Sequence, residues 1–175
     1  MSEQQLKQHR DAIDRIDIEI LHLLNQRAQH AREIGEIKGG GIIYRPEREA
    51  QVLRRIKEQN PGPLPGESVA RLFREIMSEC LALEKPLSIA YLGPEGTFSQ
   101  LATLKHFGHA ARTVACSSID EAFRLVEARA LDYVVAPVEN STEGAVGRTL
   151  DLMVSTPLKV CGEVVLRIHH HLLRN

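Results

Sequence analysis

The sequence predicts an all-helical unit over residues 1–85 followed by an α/β unit over 87–175. Three observations predict it. From Leu6 to Lys38 the apolar residues keep helical spacing without a break, longer than an ordinary helix of a single small domain. After Pro86 the pattern changes from helix after helix to strand and helix in alternation, which sets a boundary between about Glu84 and Leu87. In the second region two glycine-containing loops each follow a strand and precede a helix, the position at which open α/β sheets hold ligands.

The first helix is predicted over Leu6 to Lys38. Alternate steps of three and four from Leu6 give Arg10, Ile13, Asp17, Ile20, Leu24, Arg27, Ala31, Ile34 and Lys38, a seam suited to a partner helix. No proline interrupts it, and Gly39, Gly40 and Gly41 stop it. Pro46 fits the first turn of a second helix with Val52, Leu53 and Ile56 on its apolar face, so that Arg48 and Glu49, one turn earlier, are expected to point inward. Asn60 to Gly66 is a stiff turn. Val69, Leu72, Phe73, Ile76, Cys80 and Leu83 give a third helix ending near Lys85 and Pro86, with Glu84 one turn beyond Cys80.

In the second region Ser88 to Leu92 reads as a strand. The loop Gly93 to Ser99 presents backbone N–H groups at the start of a helix running to about Phe107. Thr113 to Cys116 is the next strand, and Ser118 with Glu121 forms a capping box for a helix to Arg129. Tyr133 to Pro137 is a third strand, the loop Glu139-Asn140-Ser141-Thr142-Glu143-Gly144 follows, and a short helix covers Val146 to Val154. Lys159 to Leu173, rich in β-branched residues, is expected to be extended.

At 175 residues and 43% hydrophobic content, the chain is long enough to bury a core. A formal net charge of -1 leaves no basic surplus for phosphates, which argues against a nucleic-acid partner. The polar N-terminus and the lack of an apolar run of about 20 residues argue against a signal peptide and a membrane span, so the expected location is the cytoplasm. Cys80, Cys116 and Cys161 lack CxxC spacing and read as reduced thiols. His169, His170 and His171 would alternate across a strand, at most two on one face and without a carboxylate cluster, so no metal is expected.

Arg10, Arg27 and Lys38 share the seam of the first helix. A solvated flank is the plain reading of any one of them, because long basic side chains snorkel to water. Three together are harder to account for in that way. An unpaired buried cation costs several kcal/mol, and Asp17 neutralises only one, so a small dianion would complete the site. With Arg48, Glu49 and Glu84 added, the set holds no nucleophile beside a base. It suits a reaction that needs shape and charge only, such as the unimolecular rearrangement of a dicarboxylate.

The run Arg10, Ile13, Asp17, Ile20, Leu21, Leu23, Leu24 and Arg27, continued by Ile34, Gly35, Lys38, Arg48 and Glu49, resembles the all-helical chorismate mutases over residues 1 to about 85. Tyr91 to Ser99 (YLGPEGTFS), Pro137 to Val146 (PVENSTEGAV) and Val164 to Leu173 (VVLRIHHHLL) resemble prephenate dehydratase. The order is that of the bifunctional enzymes of L-phenylalanine biosynthesis. The resemblance implies an intertwined homodimer in which Arg10 enters the partner's site. Arg10, Arg27, Lys38 and Arg48 would hold the two carboxylates and the ether oxygen of chorismate, Glu49 the ring hydroxyl, and Cys80 would line the pocket, with no cofactor.

Two positions depart from the bacterial pattern. Arg45 stands where an aspartate is often found, and Glu84 where many relatives have glutamine. A glutamate donates to the ether oxygen only when protonated, so turnover is expected to fall as pH rises. In the second region Thr97, Ser99, Glu139, Asn140 and Ser141 would form one wall of a cleft in a partial periplasmic-binding-protein-like lobe. The second lobe of the family, with its catalytic Thr-Arg-Phe, is not reached, so prephenate binding without turnover is expected of a truncated dehydratase. The rival reading is a small-molecule binding or regulatory module whose helices only dimerise. A third is a nonfunctional fragment with an exposed half-cleft.

Overall fold

A computed structural model describes residues 3–39, 44–142 and 144–169. Helix α1 covers Glu3–Lys38. It ends where Gly39 turns to φ +59° and donates its N–H back to the carbonyls of Gly35 and Glu36, a left-handed cap that glycine takes without strain. Gly40 and Gly41, the rest of the expected stop, lie outside the described residues. Helix α2, Pro46–Gln59, starts on its proline, whose missing N–H would be unpaired there in any case. Asn60 then bridges the turn, donating to the Leu64 carbonyl at 2.7 Å and accepting from the Gly62 N–H. Helix α3 follows over Gly66–Ala82.

Helices α1 and α2 both pack on α3. On α1 the partly buried positions in its C-terminal half are Leu24, Arg27, Ala28, Ala31 and Gly35, one stripe at helical spacing. Toward the N-terminus that stripe is uncovered: Ile13 is 55% exposed and Ile20 48%. Helix α3 has two packing faces rather than the single one expected. Leu72 and Leu83 are exposed, while Ala70, Ser78 and Cys80 are buried, because α3 also packs against the α/β unit. There the Ser78 hydroxyl donates to the Phe107 carbonyl at 2.8 Å, and Glu75 receives the backbone N–H of His109 at 3.0 Å.

The α/β unit opens with strand β1, Ser88–Leu92, followed by helix α4, Phe98–Phe107, strand β2, Arg112–Cys116, helix α5, Ile119–Glu127, and strand β3, Tyr133–Val135. The sheet is parallel in the order β2-β1-β3, with Ala90 of β1 beside Val114 and Val134. Strand β1 is central and sets the two faces. Ile89 packs with Leu87 and Phe107 on one side, and Ala90 packs with Cys116 and Ala122 on the other. Tyr44, from the segment before α2, joins the Ile89 cluster, so the two units share a core across the sequence boundary.

Helix α5 is capped as expected at Ser118, whose hydroxyl accepts the Glu121 N–H at 3.1 Å. The return bond differs: Glu121 takes the backbone N–H and hydroxyl of Ser117, one residue earlier than a capping box requires. After β3, strands β4, Glu139–Asn140, and β5, Gly144–Ala145, pair antiparallel, where an irregular loop was expected. Glu143 lies outside the described residues. Helix α6 is Gly147–Ser155.

The expected extended segment Lys159 to Leu173 forms no strand over its described part, 159–169. Its β-branched residues have no pleated, half-buried surface to fit: Val160 and Val165 are each 73% exposed, and Lys105 takes the Val165 carbonyl at 2.7 Å. His169 is exposed there, while His170, His171, Leu172 and Leu173 lie outside the described residues.

Candidate functional site

The helical site is built where the end of α1 meets the turn after α3. Lys38 is the last residue of α1, and its Nζ lies 3.9 Å from Oε1 of Glu84, whose side chain is only 11% exposed. That distance holds charge against charge without a hydrogen bond. Gly35 makes the approach possible: a Cβ added there would stand 2.5 Å from Cγ and 2.8 Å from Cδ of Glu84. A glycine inside a helix costs about 1 kcal/mol, and here it makes room for a carboxylate against the α1 backbone. Arg27 faces α3 on the same stripe of α1, and Cys80 is buried one turn before Glu84.

The remaining expected residues are not gathered with this pair. Arg10 is exposed, and 17 residues of helix set it about 25 Å from Arg27 at 1.5 Å per residue. Arg48 and Glu49 do not both point inward. Adjacent helical residues differ by about 100° in direction, so Glu49 shares the buried Leu53 face while Arg48 turns to solvent. Glu49 Oε1 lies 3.4 Å from the donating Nε of Arg74 on α3. Burial pushes the Glu49 carboxyl above its ordinary range, with Arg74 and the Tyr44 hydroxyl acting in the opposite sense.

The second candidate site lies at the carboxyl ends of β1 and β3. The chain moves from β1 to β2 on one side and then to β3 on the other, so a switch point falls between β1 and β3, where open sheets leave a crevice. Both expected loops emerge there. The Thr97 hydroxyl donates within its own loop, to Pro94 O at 2.9 Å and toward Leu92 O at 3.3 Å. Ser99, in the first turn of α4, is partly buried. Glu139, Asn140 and Ser141 are exposed, and Asn140 Oδ1 accepts the Thr142 N–H at 2.9 Å, which fixes the hairpin turn. Beneath them Tyr91 is fully buried, its hydroxyl without a partner among the described residues.

Sequence reasoning missed Tyr44 and Arg74. The signal for Tyr44 was its setting: only seven aromatic residues occur in the chain, and this one follows a glycine-rich stretch. Arg74 gave none, since a cation beside Phe73 on an amphipathic helix reads as solvated.

Residues 9–85 match the family profile described as chorismate mutase type II, and residues 89–175 match prephenate dehydratase. The bifunctional chorismate mutase/prephenate dehydratase of Neisseria gonorrhoeae is 72% identical over 166 residues, 95% of this chain and 46% of that protein. The chain belongs to this bifunctional family. The Pseudomonas aeruginosa protein of the same description is 56% identical over 97% of this chain and 48% of its own length. A solved chorismate mutase from Thermus thermophilus is 37% identical, covering 46% of this chain and 94% of that one, with a TM-score of 0.45. The chain thus spans about half the length of the curated relatives it matches. In family terms the Lys38–Glu84 and Glu49–Arg74 pairs fall in the chorismate mutase part, and the two sheet-edge loops in the prephenate dehydratase part.

Proposed function

We propose that the helical unit rearranges chorismate to prephenate by charge and positioning alone, in the route to L-phenylalanine. The observation that carries this reading is Glu84, a mostly buried carboxylate seated against Gly35 and facing Lys38. Such a pair sets one cation for a substrate anion beside one carboxyl group near an oxygen that gains charge as its bond breaks. Arg27 and Arg48 would bind the carboxylates and Glu49 the ring hydroxyl. Arg10 is too far along its own helix to join them, which favours an intertwined homodimer in which it serves the partner's site.

The α/β unit is proposed as one lobe of a two-lobed, periplasmic-binding-protein-like cleft, with Thr97, Ser99, Glu139, Asn140 and Ser141 toward prephenate and the cytoplasm as its compartment. Following chorismate absorbance on addition of the protein, and phenylpyruvate formation from added prephenate, tests both units. Arg27→Ala and Lys38→Ala should each lose about a hundredfold or more in turnover with helix content unchanged, since a lost transition-state charge contact costs about 3 kcal/mol. Near-normal turnover in either variant would remove that residue from the site. Binding of chorismate without its consumption would favour the small-molecule binding module instead.

A further inference from the structure

We propose that Arg74 is a positioning residue for the rearrangement, holding one oxygen of Glu49 so that the other is presented to the ring hydroxyl of the substrate; this rests on the mutase reading above. The contact is direct. Nε of Arg74 on α3 donates to Oε1 of Glu49 on α2 at 3.4 Å, and the two side chains are 27% and 19% exposed. Nε is the inner nitrogen of the guanidinium and meets a single oxygen, where the outer fork would take both. Oε2 of Glu49 accepts no hydrogen bond among the described residues. It is not closed off either, since the Tyr91 hydroxyl is the one unpaired side-chain polar atom buried from solvent among those residues. One oxygen is therefore anchored and the other open to a donor.

Arg74 is itself held from the far side of α3. The next residue, Glu75, accepts the backbone N–H of His109 at 3.0 Å, and Ser78, one turn on, donates to the Phe107 carbonyl at 2.8 Å. These bonds pin the stretch of α3 that carries Arg74 to the α/β unit, so the guanidinium starts from a fixed backbone. An ionised carboxylate accepts a hydroxyl proton at either oxygen, whereas a protonated one has given up part of that capacity. Burial pushes the Glu49 carboxyl toward the protonated form, and Arg74 opposes it. The cation thus aims Glu49 and favours its accepting form. A clamp between α2 and α3 would not need the pair. Replacing a buried ion pair by apolar side chains is often neutral or stabilising, and Leu53, one turn on from Glu49, is already buried on that face.

Steady-state kinetics of chorismate consumption by the whole chain, with circular dichroism to establish folding, test this role. Arg74→Met and Arg74→Gln remove the charge at similar reach. Each should raise KM about fivefold to tenfold with kcat little changed, because the ring hydroxyl is held equally in ground and transition states. Arg74→Lys, which keeps a cation for Glu49, should stay within about twofold of wild type. In a Glu49→Gln background the Arg74→Met change should move KM by less than about twofold, since Arg74 then has no carboxylate to aim. A folded neutral variant with wild-type KM, or an equal rise in KM with and without the Glu49 carboxylate, overturns the positioning role. Failure of both neutral variants to fold does so too, because it marks the pair as a clamp between helices. If the wild-type chain does not consume chorismate, the mutase reading fails and takes this role with it.

Discussion

Lys38 Nζ stands 3.9 Å from Glu84 Oε1, and the Glu84 stem reaches that position by crossing α1 at Gly35. The glycine and the carboxylate are therefore one structural unit, although 49 positions separate them in sequence (84 − 35 = 49). Gly35→Ala would improve helix propensity by about 1 kcal/mol but would put a methyl 2.5 Å from Glu84 Cγ. The expected result is a chain as helical as wild type whose chorismate turnover falls about tenfold to a hundredfold, the scale of an ångström-sized displacement of a working group. Circular dichroism with a chorismate assay reads both, and undiminished turnover would detach Glu84 from the site.

The identity of the group at position 84 gives a second expectation. A glutamine amide donates to the ether oxygen at every pH, whereas a carboxyl group donates only while it carries a proton. Glu84→Gln should thus turn chorismate over at least as fast as wild type. Glu84→Ala should be about tenfold to a thousandfold slower throughout, since no donor replaces it. A Glu84→Gln variant as slow as Glu84→Ala would sink this assignment.

Helix α1 gives a third. None of its residues is buried, and Ile13, Ile16, Ile20, Leu21 and Leu23 are all about half exposed or more. A helix of 36 residues with that much apolar surface outside its own chain calls for a second helix over the same stripe. Sedimentation should find a dimer at micromolar concentration, and Ile13→Glu with Ile20→Glu should shift it toward monomer and depress chorismate turnover together. A stable wild-type monomer with full turnover would contradict both the dimer and the place given to Arg10.

The helices, the three parallel strands and their order along the chain were legible because each is written in local periodicity and punctuation: Pro46 and Gly39 at helix ends, Ser118 at a cap, Ile89 to Tyr91 as a buried apolar run. The Lys38–Glu84 meeting was legible only through family resemblance, since nothing local in either helix says which residue will cross Gly35. The inward reading of Arg48 failed on a helical angle, as it shares no face with Leu53. The extended segment expected over Lys159 to Leu173 pairs with no strand over its described part, 159–169, for a different reason: β-branched composition reports fitness for a sheet and not that pairing occurs. Tyr44 was hidden because its partners, His106, Phe107 and Tyr133, are all more than 60 positions later.

Asp132 gives the last expectation, at the junction of the two units. Its carboxylate accepts the Ser88 backbone N–H at 2.9 Å, the Ser88 hydroxyl at 2.7 Å and the Lys85 ammonium at 2.8 Å, tying the residues between α3 and β1 to the start of β3. Burial alone would raise its pKa, but the Lys85 and Ser88 bonds outweigh it and hold the carboxyl below its ordinary 3.8. A group whose folded value is lowered stabilises the fold at every pH above its unfolded value, and that stability is lost as pH falls from there through the lowered folded value. Asp132→Ala should therefore cost about 2–3 kcal/mol at pH 7, the scale of hydrogen bonds to a charged acceptor, with chorismate turnover at low temperature little changed. Below pH 3.8 the gap between wild type and variant should narrow, because the wild-type carboxylate is by then taking up its proton. Urea unfolding of both proteins at neutral and acid pH measures it, and a gap that stays constant down to the acid end would mean that Asp132 acts by packing and not by charge.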